Sequence, residues 1–146
     1  DSNFPNAAYH CGALIAVYAD LQRAAIDAKS GITQRYYASA SQAPALVLGQ
    51  LETMAQYHLA KLRQDGRGGI ARIYENLLNQ ASPFFGTETG HEMPRILTIE
   101  QQSYFAIGYR QMCAKMNFDR MAATAAKKEK GISQETTDES LNLEED

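Results

Sequence analysis

Five arginines in this sequence have no acidic residue three or four positions away, the spacing at which charges pair along a helix face. They are Arg35, Arg63, Arg67, Arg110 and Arg120. A cation without a local carboxylate is available to bind an anion, and the planar guanidinium group matches the geometry of a phosphate. These arginines are therefore the first candidates for a binding role, and nucleic acid is the ligand class that they suggest.

Four basic residues lie within the twelve positions from Lys61 to Arg72, around a glycine-rich stretch that predicts a turn. Arg35 precedes two tyrosines, Tyr36 and Tyr37, and this pattern is typical of a site that contacts a nucleic-acid backbone and stacks on an unpaired base. Arg72 and Lys115 are weaker candidates because each has a local acid. The predicted nucleic-acid-binding residues are Arg35, Lys61, Arg63, Arg67 and Arg110, followed by Arg72 and Lys115.

An alternative interpretation is that these cations pair with acids on other helices or are simply solvated. Residues 1–126 hold 11 basic and 10 acidic side chains, so the charge of the body is nearly balanced. Dedicated nucleic-acid binders are usually more basic. Any intrinsic affinity should therefore be weak and sensitive to salt.

Catalytic and metal-binding patterns are absent from the sequence. Glu88 and His91 have the Glu-x-x-His spacing of di-metal bundles, but they lie in a Pro/Gly-rich stretch and have no second copy. No phosphate-binding glycine loop, nucleophile elbow or HExxH motif is present. His10 and His58 lie among apolar residues and are interpreted as packing residues. Cys11 and Cys113 are predicted to be reduced, buried thiols. We expect no catalytic residue, metal or cofactor.

Helical periodicity dominates the elements that must position these residues, and no sustained strand alternation occurs. Ser41 is the predicted N-cap of the third helix, and Thr98 with Gln101 forms a capping-box pattern before the fifth. The predicted class is all-α, a five-helix bundle with one short helix. Its helices are expected at residues 5–28, within 32–41, from Pro44 to about 64, at 69–81 and at 99–126, with a long connection over 82–97.

Apolar residues at helical spacing give the expected core. The first helix is apolar on nearly every side, which predicts a central position in the bundle. In the first helix the expected core residues are Cys11, Leu14, Tyr18, Leu21, Ala25 and Ala28, and in the third they are Leu48, Leu51, Ala55, Leu59 and Leu62. In the fourth helix they are Ile70, Ile73, Tyr74, Leu77, Leu78 and Ala81, and in the fifth they are Ile99, Phe105, Tyr109, Met112 and Met116.

The C-terminal segment differs from the body in composition. Residues 127–146 hold seven acidic and three basic side chains and no aromatic residue. Such a segment cannot bury enough apolar surface to offset the entropy of ordering. We therefore predict a helical domain over residues 1–126 and a charged, disordered tail over 127–146. No apolar run is long enough to span a bilayer and no leader pattern begins the chain, which favours a cytoplasmic location.

Several stretches of the sequence resemble a known family. They are YHCGALIAVYADLQRAAI (9–26), TQRYYASASQAPALVLGQL (33–51), QYHLAKL (56–62) and LTIEQQSYFAIGYRQM (97–112). These blocks look like the C-terminal helical region of the large subunit of type I-C CRISPR interference complexes, a region that is also made separately as the small subunit. The resemblance covers about residues 5–116, and the chain length fits the free small subunit better.

The resemblance implies a non-enzymatic subunit of a crRNA-guided surveillance complex (Cascade) in antiviral defence. Its implied partners are the large and backbone subunits, other copies of itself, crRNA, and target or displaced DNA held during R-loop formation, with no membrane. Two alternatives remain open. One is a purely structural protein-interaction bundle in which the arginines bind partner subunits, and the other is a small helical enzyme or metal binder.

Overall fold

The regular secondary structure of the described residues consists of helices, with no strand. The computed structural model describes the backbone of residues 7–26, 31–81 and 92–143, and the side chains in these ranges except at positions 118, 124 and 127–143. The helices confirm the predicted all-α class. They are α1 (Ala7–Ile26), α2 (Ile32–Gln42), α3 (Pro44–Gln64), α4 (Gly68–Ala81) and α5 (Ile99–Leu143).

Helix α1 is the central element, as its apolar sequence predicts. Every residue from Cys11 to Tyr18 is buried, and the helix packs against α2, α3 and α4. A helix that is apolar on all sides must be covered on all sides. The predicted start of this helix at residue 5 and its end at residue 28 lie outside the described residues.

Helices α1 and α5 cross so closely that neither has room for a side chain at the crossing. A Cβ atom built on Gly12 would lie 2.0 Å from the carbonyl oxygen of Phe105, and one built on Gly108 would lie 2.0 Å from the carbonyl oxygen of Tyr9. Because side chains cannot occupy such distances, both positions require glycine. The crossing therefore brings one helix backbone directly against the other.

The junction between α2 and α3 corrects one prediction. Ser41 is not the N-cap of α3, because it lies within α2 and its hydroxyl donates to the carbonyl of Ala38 at 2.9 Å. The N-cap is Ala43, which makes no side-chain capping bond, and Pro44 begins the helix. The backbone angle of Pro44 suits a first turn, and the N–H of the next residue, Ala45, donates to the Pro94 carbonyl at 3.0 Å. This backbone carbonyl takes the place of a capping side chain.

The connection that precedes α5 is anchored to this junction by backbone hydrogen bonds. The Leu97 N–H donates to the Gln42 carbonyl at 2.8 Å, and the Ala45 N–H donates to the Pro94 carbonyl at 3.0 Å. Residues 92–98 contain no helix, as predicted, and the first part of the predicted connection, 82–91, lies outside the described residues. The described part of the connection is therefore fixed to the α2–α3 junction.

The predicted capping box at the start of α5 is confirmed. The Gln101 N–H donates to the Thr98 hydroxyl at 3.2 Å, and the Thr98 N–H donates to the Gln101 side-chain oxygen at 2.9 Å. The two reciprocal bonds satisfy donors that the first helical turn leaves unpaired. This box defines where the connection ends and α5 begins.

The turn between α3 and α4 is a Schellman motif. The Arg67 N–H donates to the Leu62 carbonyl at 2.8 Å and the Gly66 N–H donates to the Arg63 carbonyl at 3.2 Å, the two bonds that define this helix ending. Gly66 has a φ of 77°, a left-handed conformation that glycine adopts without strain. The predicted turn is confirmed, and its geometry directs the chain into α4.

The core follows most of the predicted stripes. Ile70, Tyr109 and Met112 are half-buried rather than buried, two further residues are exposed, and Ala28 lies outside the described residues. All five stripe residues of α3 are buried, as are Phe105 and Met116 of α5. Ile73 is 58% exposed and Ile99 is 87% exposed, so both core predictions are wrong. At about 100° per residue, Ile99 lies about 110° from the centre of the α5 stripe, and Ile73 lies at the margin of the α4 stripe. Each satisfies the spacing locally but points away from the core.

Helix α5 extends past its predicted end at residue 126. It continues to Leu143, into the segment that was predicted to be a disordered tail. Residues 119–130 contain neither glycine nor proline and are rich in alanine and lysine, which are strong helix formers. Helix propensity therefore remains high after the apolar stripe of α5 has ended. A helix end that is placed from the change in charge does not take this propensity into account.

The chain divides into two compact units, Asp1–Cys113 and Ala114–Asp146. The first contains α1 to α4 and the N-terminal part of α5, and the second contains the remainder of α5. The predicted domain boundary at residue 126 rests on charge alone and stays a prediction. None of the described helices is both long enough and apolar enough to cross a membrane.

Candidate nucleic-acid interface

Two of the cations between positions 61 and 72 form ion pairs within the chain. The Lys61 ammonium lies 2.8 Å from the Asp65 carboxylate, one helical turn away. Arg63 pairs with Glu75, which lies on α4. The Lys61–Asp65 pair follows from sequence spacing. The Arg63–Glu75 pair joins two helices and agrees with the alternative interpretation, in which these cations pair with acids on other helices. Arg63 is therefore not the unneutralised charge that its lack of a local acid suggested.

Arg67 binds the end of another helix. Its guanidinium group donates to the carbonyl of Ala24 at 2.7 Å, and the residue is half-buried. The last carbonyls of a helix have no partner within the helix and carry partial negative charge, so a cation there is stabilising. The Schellman turn presents Arg67 to the last turn of α1. Arg67 therefore joins α1 to the α3–α4 turn, a role that sequence spacing could not reveal.

Asp20 organises a second contact between α1 and α4. Its carboxylate accepts a hydrogen bond from the Tyr74 hydroxyl at 2.6 Å and another from the Arg23 guanidinium at 3.0 Å. Tyr74 is buried, so its hydroxyl needs a partner inside the protein. The bond to Asp20 raises the pKa of Arg23. The Arg23–Asp20 pair has the i, i+3 spacing of a local helix pair, and it belongs to a network that stabilises the bundle.

Arg72 faces solvent. The residue is exposed, and within the described part of the chain it has no ion pair. Its predicted local partner, Glu75, binds Arg63 instead. Lys61, Arg63, Arg67 and Arg72 are the four cations around the α3–α4 turn. Among them, Arg72 is exposed and has no ion-pair partner in the described residues.

Arg35 and Arg110 lie along the contact between α2 and α5. The Thr33 and Tyr109 hydroxyls are 3.2 Å apart, and the Tyr37 ring packs on the Tyr109 ring with centroids 5.0 Å apart. These contacts bring the N-terminal half of α2 against the segment of α5 that carries Arg110. Both arginines are exposed, and neither forms an ion pair with a described residue. Together with Arg72, they are exposed cations of the first unit that have no ion pair with a described residue.

Tyr37 is not a free stacking platform. Its ring packs edge-to-face on Phe105 with centroids 5.3 Å apart, in addition to its contact with Tyr109. Burial raises its pKa above the ordinary value for a phenol. Tyr36, the other aromatic of the predicted pair, is half-buried. Tyr37 therefore stabilises the α2–α5 contact. Of the predicted group of one cation and two aromatic residues, only the exposed Arg35 and the half-buried Tyr36 can contact a ligand.

Lys115 and Arg120 belong to the second compact unit. Both are exposed, and each interacts with another group of the protein. Neither is therefore an unpaired cation, and the lower priority of Lys115 among the candidates is consistent with its surroundings.

Metal and nucleophile chemistry finds no support among the described residues. No group of three or more His, Cys, Asp or Glu side chains there is placed to hold a metal ion, and Glu88 and His91 lie outside the described ranges. Both cysteines are free thiols, as expected, but Cys113 is half-buried rather than buried. Burial raises the pKa of Cys11 to about 12, so its thiol is protonated at neutral pH and is a poor nucleophile.

His58 predicts a pH dependence of stability. It is 8% exposed, its Nδ1 atom has no hydrogen-bond partner among the described residues, and burial lowers its pKa below the ordinary 6.5. As pH falls below 6.5, the unfolded chain takes up a proton that the folded chain excludes, so stability decreases until the pH passes the folded pKa. Between pH 7 and 5 we expect the melting temperature to fall.

The test compares melting temperatures by circular dichroism at pH 7 and pH 5 for the wild type and for His58→Leu, which removes the titrating group. The fall is expected to be smaller in His58→Leu. His10→Gln, at the half-buried histidine of α1, serves as the matched control and is expected to retain the full decrease. An unchanged decrease in His58→Leu would remove His58 as its source.

Comparison with known proteins supports the family resemblance that the sequence blocks indicate. No curated protein matches the chain. The family model described as CRISPR-associated protein (Cas_Csd1) matches residues 1–116, which include all of α1 to α4 and the N-terminal part of α5 that crosses α1. The match thus contains the residues of the Gly12–Gly108 crossing as well as Arg35 and Arg110. On this ground the chain belongs to the CRISPR-associated Cas_Csd1 family and is a protein related to the type I-C Cascade.

Proposed function

We propose that this chain is a non-catalytic small subunit of a type I-C Cascade, which stabilises the R-loop by contacting target or displaced DNA and the neighbouring subunits. Its partners in this proposal are the large and backbone subunits, crRNA, DNA and other copies of itself. The observation that carries the proposal is the Cas_Csd1 match over residues 1–116 of an all-helical chain. No cofactor is required.

R-loop formation needs little energy from such a subunit. The RNA–DNA heteroduplex is about as stable as the DNA duplex that it replaces, so modest contacts to the nucleic-acid backbone can decide the equilibrium. A few exposed arginines can supply such contacts, whereas dense positive charge would favour nonspecific binding. The nearly balanced charge of the body fits the first situation.

The surroundings of the candidate residues favour some over others. Arg35, Arg110 and Arg72 are exposed and have no ion pair among the described residues, so we propose that they contact phosphates. Lys61, Arg63 and Arg67 already bind groups within the chain, and each would have to break that contact to bind DNA. We therefore expect the α2–α5 surface, with Arg35 and Arg110, to contribute most.

The decisive experiment measures target-duplex binding by the crRNA-loaded complex assembled without this chain and then with the chain added back. Wild-type chain is expected to restore stable R-loops. The double variant Arg35→Gln/Arg110→Gln is expected to restore them with about tenfold weaker binding, and to reduce the slope of log K against log salt by about 1.5, because two phosphate contacts are lost.

The comparison variant is Arg63→Gln/Arg67→Gln, which removes the same charge from residues that bind within the chain. It is expected to lower the melting temperature of the chain and to change the salt slope less. If the double variant of Arg35 and Arg110 restores R-loops as well as the wild type does, these arginines do not contact DNA. If the complex binds target equally well without the chain, the proposed DNA-holding function is wrong.

A second candidate function is a protein-interaction bundle that never touches nucleic acid. It is favoured by large aliphatic side chains exposed at and near the α2–α3 junction: Leu46 is 79% exposed, Ile96 79% and Ile99 87%. Exposed apolar groups of this kind often mark protein contacts. The same add-back experiment separates the two functions, because a purely structural subunit would be required for assembly and would leave the salt slope unchanged.

A further inference from the structure

A cavity of about 380 Å³ lies between α1, α3 and α4. Its volume is at the lower end of the range for small-molecule sites, so it suits a small group. No basic residue lines it. Apart from Tyr18 on α1, it is lined by two carboxylates, two amides and two leucines: Glu52, Glu75, Gln56, Asn79, Leu59 and Leu78.

Tyr18 contributes a buried polar group to this cavity. The residue is only 4% exposed, and its hydroxyl has no hydrogen bond to any described residue. Burial, and to a lesser extent the Glu52 carboxylate, raises the pKa of the Tyr18 phenol, so the hydroxyl stays protonated. Tyr18 lines the cavity, and its hydroxyl is not among the described buried polar atoms that lack a partner. The hydroxyl therefore opens into the cavity, where a ligand can replace water as its hydrogen-bond partner.

The two carboxylates of the cavity differ in their neutralisation. Glu75 pairs with Arg63, which lies outside the lining. Glu52 is exposed and has no ion pair with a described residue. The cavity therefore retains one uncompensated negative charge together with amide and phenol oxygens that accept hydrogen bonds, while its two leucines can contact a methylene chain.

We propose that this cavity binds a small organic cation, a primary ammonium or guanidinium group on a short aliphatic stem. An ammonium carries three N–H donors and a guanidinium five, which matches the acceptors of Glu52, Gln56 and Tyr18. The stem contacts Leu59 and Leu78. The same chemistry is provided by a lysine or arginine side chain of a partner protein and by a free aliphatic amine. The proposal is independent of the proposed function, because Arg35 and Arg110 do not line the cavity.

The test is a titration of the ¹⁵N-labelled full chain with n-butylammonium, followed by two-dimensional NMR, with n-butanol as the neutral control. Saturable shifts are expected at the amides of Tyr18, Leu59, Leu78 and Asn79, and none with butanol. Glu52→Gln is expected to weaken binding about fivefold, since it removes the uncompensated charge. Tyr18→Phe removes only the hydroxyl and is expected to weaken binding about threefold.

The matched control is Glu92→Gln, at an exposed carboxylate that does not line the cavity; it is expected to leave binding unchanged. Melting curves verify that each variant is folded, and the surface variant Glu52→Gln tests the proposal even if Tyr18→Phe is unstable. The proposal is wrong if the shifts do not saturate, if they map elsewhere, if butanol binds equally well, or if Glu52→Gln and Glu92→Gln have the same effect.

A second titration identifies the source of the cation. It compares N-acetyl-Ala-Lys-Ala-amide with the peptide in which glutamine replaces lysine. If the lysine peptide binds as tightly as butylammonium and the glutamine peptide does not bind, a partner side chain can occupy the cavity. If only the free amine saturates the site, the cation site is retained and its ligand is a free amine.

Discussion

Gly108→Ala is expected to lower the free energy of unfolding by about 3 kcal/mol or more. The added Cβ atom would lie 2.0 Å from the carbonyl oxygen of Tyr9, and that oxygen belongs to a helix backbone that cannot rotate aside as a side chain can. Helices α1 and α5 would have to separate, and the packing around the fully buried Phe105 would loosen. Urea unfolding followed by circular dichroism at 222 nm measures the loss.

Gly49→Ala is the matched control for this substitution. Gly49 lies inside α3, and a Cβ atom there would meet nothing within 4 Å. The same chemical change is therefore expected to raise the free energy of unfolding by about 0.5–1 kcal/mol, the usual gain in an unobstructed helix.

Gly12→Ala tests the other side of the same crossing and is expected to match Gly108→Ala. The double variant should cost less than the sum of the single variants, because one separation of the helices relieves both clashes. A Gly108→Ala protein as stable as Gly49→Ala would mean that the two helices do not cross at these glycines.

Asp20→Ala is expected to lower the free energy of unfolding by about 2–3 kcal/mol. The substitution removes the acceptor of the Tyr74 hydroxyl and of the Arg23 guanidinium. Tyr74 is 7% exposed, so water cannot readily replace the lost carboxylate, and the hydroxyl keeps only its longer contact to the Asp20 backbone carbonyl at 3.4 Å. Urea unfolding in the same buffer as for the glycine variants allows a direct comparison.

Two further variants separate the contributions to this network. Asp20→Asn keeps an oxygen acceptor for the tyrosine but loses the charge that pairs with Arg23, and should cost clearly less than Asp20→Ala. Tyr74→Phe removes the donor, so the double variant Asp20→Ala/Tyr74→Phe should be more stable than the sum of the two single effects predicts. Strict additivity would show that the 2.6 Å contact contributes nothing to stability.

Much of the fold was predictable because its signals are local. The stripe of α3 and the Thr98–Gln101 box depend on residues a few positions apart, and both were predicted and confirmed. Ser41 has a high capping propensity but lies inside α2, and the N–H of Ala45 at the start of α3 is satisfied by the distant Pro94 carbonyl instead. Ile99 was misjudged because it fits the spacing locally while lying outside the stripe that the rest of α5 defines.

The environment of the candidate site was less predictable because it depends on long-range contacts. Arg63 and Arg67 have no local acid, as the sequence indicates, yet they bind Glu75 and the Ala24 carbonyl. No spacing rule reports such partners.

The glycine crossing and the role of Tyr18 are only weakly indicated by the sequence. A single glycine inside an apolar helix is costly and so indicates a packing reason, which was the available hint of the crossing at Gly12. Tyr18 fits the core stripe in the sequence, and only its place in the lining of the cavity distinguishes it.

The glycine crossing also constrains the order in which the chain can fold as it leaves the ribosome. Gly12 and Gly108 stand near opposite ends of the first compact unit, so almost the whole unit must be synthesised before they can meet. Until then, the side of α1 that α5 covers has no partner. Long-range closures of this kind slow folding and leave apolar surface open to aggregation. Nascent chains that stop before α5 should therefore depend on chaperones, and those that extend past Gly108 should be released from them.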